Sequence, residues 1–137
     1  MTRLALGIDL GGMGKGWTVD RAADRLHGRG PFLVNAGGDL YAEGLPGDTR
    51  GWALTLEHPL HPDRWMASLH LTDGALATST VTKRRWQKDG KAHHHLIDPR
   101  TGRPADTDSL SVSVVARRTM LAEIFAKGAL LLGAADG

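Results

Sequence analysis

The segment Asp9-Leu-Gly-Gly-Met-Gly-Lys-Gly16 sets four glycines and a lysine within eight residues. Glycines let backbone N–H groups approach a phosphate closely, a helix N-terminus adds partial positive charge, and Lys15 adds a full one. A tight turn with a solvated lysine accounts for the same residues, because the spacing is neither a Walker A sequence nor the dinucleotide-binding fingerprint. Asn35-Ala-Gly-Gly-Asp39 brings an amide and a carboxylate to a glycine break, where a hairpin with capping side chains would also use them. Ala77-Thr-Ser-Thr80 offers consecutive hydroxyls suited to phosphate oxygens, but on turn chemistry alone it reads as a turn.

Three histidines follow one another at 93 to 95. Neighbours in an extended chain alternate faces, so at most His93 and His95 share a side, which argues against a transition-metal cluster. Asp98-Pro-Arg-Thr-Gly102 has the Pro and Gly placement of a rigid turn that would fix His95 and Asp98 relative to each other. A histidine held beside an aspartate is a candidate general base. Glu123 and Lys127 stand four apart, where an ordinary helical surface pair contributes about 0.3 to 0.5 kcal/mol.

The elements that position these residues follow from periodicity. Residues 4 to 10 read as a strand entering the glycine cluster. Val19, Ala22, Ala23 and Leu26 then trace a helical face that Gly28 and Gly30 end. Strands are expected at Phe32 to Ala36, Leu40 to Glu43, Trp52 to Glu57, Ala67 to Thr72 and Ser111 to Ala116, with a long polar loop over 83 to 108. From Met120, the residues Leu121, Ile124, Phe125, Ala129 and Leu132 trace a second helical face that stops at Gly133. The class is α+β, a mainly antiparallel sheet with two main helices in one domain over 1–137.

Bulk properties narrow the function. With 137 residues, 41% of them hydrophobic, and a net charge of +2, the chain is large enough to bury a core. It lacks the basic stripe of a nucleic-acid binder. Without cysteine there is no disulfide framework, zinc-thiolate site or lipidated cysteine. No apolar run reaches transmembrane length, and the start does not read as a secretory signal, so the chain as written reads as cytoplasmic.

In this order, the Asp9 to Gly16 motif, Val34-Asn-Ala-Gly-Gly-Asp39, Ala77-Thr-Ser79, His94-His-Leu-Ile-Asp-Pro-Arg-Thr-Gly102 and Ala122-Glu-Ile-Phe-Ala-Lys127 resemble the FAD:protein FMN transferase family, the ApbE-like group. The resemblance covers residues 8 to 133. It implies a magnesium-dependent enzyme that binds FAD and transfers FMN to a Ser or Thr hydroxyl of an acceptor protein, releasing AMP. A non-catalytic FAD-binding module is the alternative. On the matching positions, Asp9, Gly12 and Lys15 would bind the flavin nucleotide. Asn35, Gly37 and Gly38 would line the same cleft, with Thr78 and Ser79 near the phosphates. Leu96 and Ile97 would pack on the cofactor, Asp98 would hold the adjoining loop, and His95 would be the base.

Two departures from the family pattern stand out. The family's last helix carries an Asp and a Thr as metal ligands, with the Gly12 carbonyl nearby, where this sequence has Glu123 and Lys127. Glutamate still binds magnesium through oxygen, whereas protonated lysine does not. The chain also lacks the long region that precedes the Asp9 motif in family members. A homo-oligomer, a partner chain or parts of a longer sequence of which this is a fragment are therefore expected to complete the pocket.

Overall fold

The structure is a computed structural model that describes residues 9–137. Most of the strand expected over 4 to 10 lies outside those residues, and Asp9 and Leu10 are not in a strand. In chain order the elements are α1 (Gly14–Leu26), β1 (Phe32–Ala36), β2 (Asp39–Glu43), β3 (Trp52–Glu57), β4 (Trp65–Leu71) and β5 (Gly74–Thr80). Then come β6 (Arg85–Lys88), β7 (Lys91–His94), β8 (Ile97–Asp98), β9 (Arg103–Pro104), β10 (Ser111–Ala116) and α2 (Thr119–Leu132).

The main sheet has the order β1-β2-β5-β10 and is antiparallel throughout, so the α+β expectation holds. Gly37 and Gly38, at φ +64° and +98°, form the two-residue turn between β1 and β2; that twist requires positive φ at both positions. Separate two-stranded ribbons pair β3 with β4, β6 with β7 and β8 with β9.

Side chains alternate across β5. Ala75 and Ala77 meet Ala122 of α2 on one face. On the other face, Leu76 joins Leu40, Ala42 and Leu71, against which Trp52, Leu54 and Leu56 of β3 pack. Helices therefore cover one side of the sheet and the β3–β4 ribbon covers part of the other. Beyond the strands, Val81, Leu96 and Leu130 continue the core with Val112.

Three expectations change. The second helical face is turned around: Leu121, Ile124, Phe125 and Leu132 are exposed, while Ala122, Glu123, Ala126 and Leu130 are buried. Small residues let α2 lie close to the alanines of β5, and its larger side chains face away from the sheet. Ala77 to Thr80 is the end of a central strand, not a turn, because its pairing with β10 runs on through Thr80 and Ser111. The expected loop over 83 to 108 contains two ribbons, the first turning at Asp89 and Gly90 with positive φ at both residues. Among the described residues, no helix is long and apolar enough to cross a membrane.

Candidate functional site

Neither helix supplies its own side-chain cap. Each receives a carboxylate from the other instead. The Asp20 side chain on α1 accepts the backbone N–H groups of Thr119 and Met120 at 2.7 and 3.2 Å, satisfying the first turn of α2. Glu123 on α2 returns the arrangement, its Oε2 accepting the Gly16 N–H at 2.8 Å in the first turn of α1. Both carboxylates are buried, and burial makes each depend on its N–H partners. Contact this close requires glycine at 16: a Cβ there would lie 2.6 Å from the Met120 Cα.

The cross-capped junction presents the glycine loop to a cleft of about 840 Å³, a volume in the range of small-molecule sites. Asp9 Oδ1 accepts the Gly11 N–H at 2.7 Å and shapes the loop. Lys15 is held by an ion pair with the buried Asp39, whose other oxygen faces the Thr78 N–H at 3.4 Å. Asn35 Oδ1 accepts the Gly38 N–H at 2.9 Å and closes the β1–β2 turn at the cleft edge.

The cleft floor is a ladder of hydroxyls. Thr78 pairs across strands with Ser113, and Thr80 with Ser111. The Thr78 and Ser113 hydroxyls are 2.8 Å apart. Ser79 also borders the cleft but is buried between its neighbours. Leu54 to Pro59 form the opposite wall.

His95, Leu96 and Ile97 enter the same cleft. Burial first, then the charges of Arg84, His94 and Lys127, hold the His95 ring below the usual histidine range, against a backbone contact to Lys83 that works the other way. A free ring nitrogen is thus kept at neutral pH. Its neighbour His94 is structural, bonding the Ala105 carbonyl through Nε2 at 3.0 Å and accepting the Leu96 N–H on Nδ1 at 3.3 Å.

The expected His95–Asp98 pairing does not form. Alternation along the chain turns His94, Leu96 and Asp98 inward and leaves His95 and Ile97 on the other side. The Asp98 carboxylate instead accepts the Arg100 backbone N–H at 2.8 Å and its guanidinium at 2.9 to 3.1 Å. That guanidinium holds the Asp98 carboxyl below its ordinary range. Asp98 belongs to a second, smaller hollow with Thr101 and Asp106 and does not border the main cleft. Its role is to fix the turn that follows His95.

Gly12, Glu123 and Lys127 come together beside the glycine loop, with an ammonium where the family pattern has an oxygen ligand. Glu123 Oε1 is buried without a hydrogen bond, and the nearest cation is the Lys127 ammonium at 3.5 Å, an ion pair too long to satisfy it. The same ammonium is 3.4 Å from the Gly11 carbonyl oxygen. An ammonium beside the carboxylate repels a divalent ion there and offers no lone pair to it. Among the described residues, no three His, Cys, Asp or Glu side chains group as a metal site.

Several residues that matter here carry no strong signal in sequence. Ser111 and Ser113 are marked only by Ser-Val alternation, and Asp20 resembles any charged residue on α1. Asp39 stood within a recognisable motif, but nothing local indicated that it is almost wholly buried.

A model of the ApbE family matches residues 1–137. The FAD:protein FMN transferase of Vibrio cholerae serotype O1 is 34% identical over 133 residues, covering 95% of this chain and 40% of the relative. That of Escherichia coli strain K12 is 30% identical over 129 residues, covering 92% and 37%. Among solved structures, the ApbE protein of Thermotoga maritima aligns with a TM-score of 0.82 at 32% identity, over 91% of this chain and 41% of that one. The flavin transferase ApbE of Vibrio cholerae aligns with a TM-score of 0.79 at 32% identity, over 94% and 41%. The chain spans about 40% of the length of the curated relatives it matches. A family model matched from end to end, together with the shared arrangement of sheet and helices, makes this chain a member of the ApbE family.

Proposed function

We propose that the chain forms the nucleotide-handling part of an FAD:protein FMN transferase, holding FAD along the cleft while FMN passes to a Ser or Thr hydroxyl of an acceptor protein. The observation that carries this reading is the convergence of the Gly11–Gly12 loop, the Thr78–Ser113 hydroxyls and His95 on one cleft. Relatives bearing the transferase name supply the class of reaction.

In this reading the loop and hydroxyls bind the diphosphate, and Leu96 and Ile97 give the flavin an apolar contact. The acceptor oxygen forms a new bond to the FMN phosphorus as the diphosphate bridge breaks, and AMP leaves with the bridging oxygen. His95 takes the hydroxyl proton. Positioning and charge neutralisation are the main sources of catalysis in such transfers. The residues present do not fit magnesium, so no step here depends on it. In this reading the rest of the pocket is supplied from beyond these residues, by a longer parent sequence, a second copy or a partner chain.

The test adds FAD and a Ser/Thr-bearing acceptor protein to the chain. Quenched FAD fluorescence, released AMP and flavin covalently bound to the acceptor are expected. Unchanged fluorescence at micromolar protein overturns the reading. A second reading, an FAD-binding module without transfer, is favoured by the ammonium beside Glu123. Released AMP would sink it.

A further inference from the structure

Resting on the flavin-nucleotide reading, we propose that Lys127 is a built-in cation: its ammonium replaces a divalent ion beside Glu123 and the Gly11 carbonyl, so the protein neutralises the nucleotide diphosphate without added metal.

The oxygens at this point are those that would serve a hard cation, a carboxylate and a backbone carbonyl. Glu123 is fixed by the Gly16 N–H on Oε2, which leaves Oε1 buried and facing a positive charge 3.5 Å away. The Gly11 carbonyl oxygen lies 3.4 Å from the same nitrogen. An ammonium carries three N–H donors. Two long contacts leave it with capacity for a ligand oxygen.

Room for it comes from the loop. The ammonium borders the cleft beside Gly12, where a Cβ would already lie 3.6 Å from the Lys127 Nζ and a longer side chain would crowd it. The other lining lysines are committed elsewhere, Lys15 to the buried Asp39 and Lys83 to Glu57 at 2.7 Å. Lys127 is the lysine of the cleft wall whose carboxylate partner is too distant for a hydrogen bond. Glu123 in turn anchors it to the α1–α2 junction, so the charge is held in place before the ligand arrives.

The experiment measures FAD binding by fluorescence and Mn²⁺ binding by the electron paramagnetic resonance signal of the free ion. For the unaltered chain, the FAD dissociation constant is expected to be the same in EDTA and in millimolar Mg²⁺, with Mn²⁺ left free. Lys127→Met should weaken FAD binding about tenfold or more in EDTA, the usual scale for losing a charged hydrogen-bond donor. Lys127→Thr, which removes the ammonium and supplies an oxygen, should bind Mn²⁺ and recover FAD affinity when Mg²⁺ is added.

FAD binding by the unaltered chain only with Mg²⁺, or Mn²⁺ binding that Glu123→Gln abolishes, overturns the proposal while leaving the nucleotide reading intact. Failure to bind FAD under either condition removes the nucleotide reading and this proposal with it. The comparison of EDTA with Mg²⁺ in the unaltered chain decides the matter even where a variant does not fold.

Discussion

The two faces of the four-stranded sheet are packed by different means. On the helix face, Ala75, Ala77, Ala122 and Ala126 are fully covered, and two buried carboxylates each accept backbone N–H groups of the opposite helix. On the ribbon face, β4 leaves Trp65 62% and Met66 60% exposed. The cleft draws on both. Its glycine-loop end rests on the close-packed helix junction, which holds the backbone there in place. Its other wall is a ribbon with few buried side chains, which leaves it freer to adjust.

This contrast can be broken most directly at Gly16. Gly16→Ala sets a methyl group against the Thr119 and Met120 backbone, where no side chain can yield. A loss of about 3 kcal/mol is expected for such overpacking, seen as a fall in Tm of about 10 °C. An unchanged melting curve would disprove the interlock. Next comes Asp20→Ala, which strips α2 of its cap and leaves the Thr119 N–H buried; about 2 kcal/mol should be lost in urea unfolding. On the ribbon face, Trp65→Ser should change stability by no more than about 0.5 kcal/mol. A cost equal to that of Asp20→Ala would erase the distinction between the faces.

The smallest effects lie in two histidines of opposite sign. Burial, Arg84, His94 and Lys127 push the His95 ring below its ordinary 6.5. The unfolded chain therefore holds that proton more readily than the folded one. The stability linked to His95 is present above pH 6.5 and is lost as pH falls below it, through the lowered folded value. His27 accepts the reverse influence, its hydrogen bond and ion pair with Glu43 raising it above 6.5. Its contribution is present below 6.5 and is lost as pH rises through the raised folded value. Proton NMR of the imidazole C–H groups should show His95 titrating below 6.5 and His27 above it; the same midpoint for both would refute the assignment.

Local patterning made part of this molecule legible. Phe32 to Ala36, Trp52 to Glu57 and Ser111 to Ala116 match their strands residue for residue; Trp52 to Glu57 shows the period of two of a half-buried strand, and Phe32 to Ala36 is bounded by the Gly37–Gly38 turn. β5 escaped because it is covered on both faces and carries no alternation. The orientation of α2 escaped for a different reason: apolar size marks a buried face only where space is ample, and here close approach favours Ala122 and Ala126 over Phe125. In the site, glycine motifs located the loop, since positive φ and close contact leave a local trace. Asp20 and Ser113 owe their places to partners on distant segments, so nothing adjacent in sequence announces them.

The Gly16–Glu123 hydrogen bond spans 107 positions of the chain and the Asp20–Thr119 bond spans 99. Proteins are synthesised from the N-terminus, so the glycine loop leaves the ribosome long before the carboxylate that caps its helix. Closing so long a loop costs entropy that the final contacts must offset. A nascent chain short of Glu123 therefore has the loop but not its support. The loop therefore gains its support only once the last helix has been made.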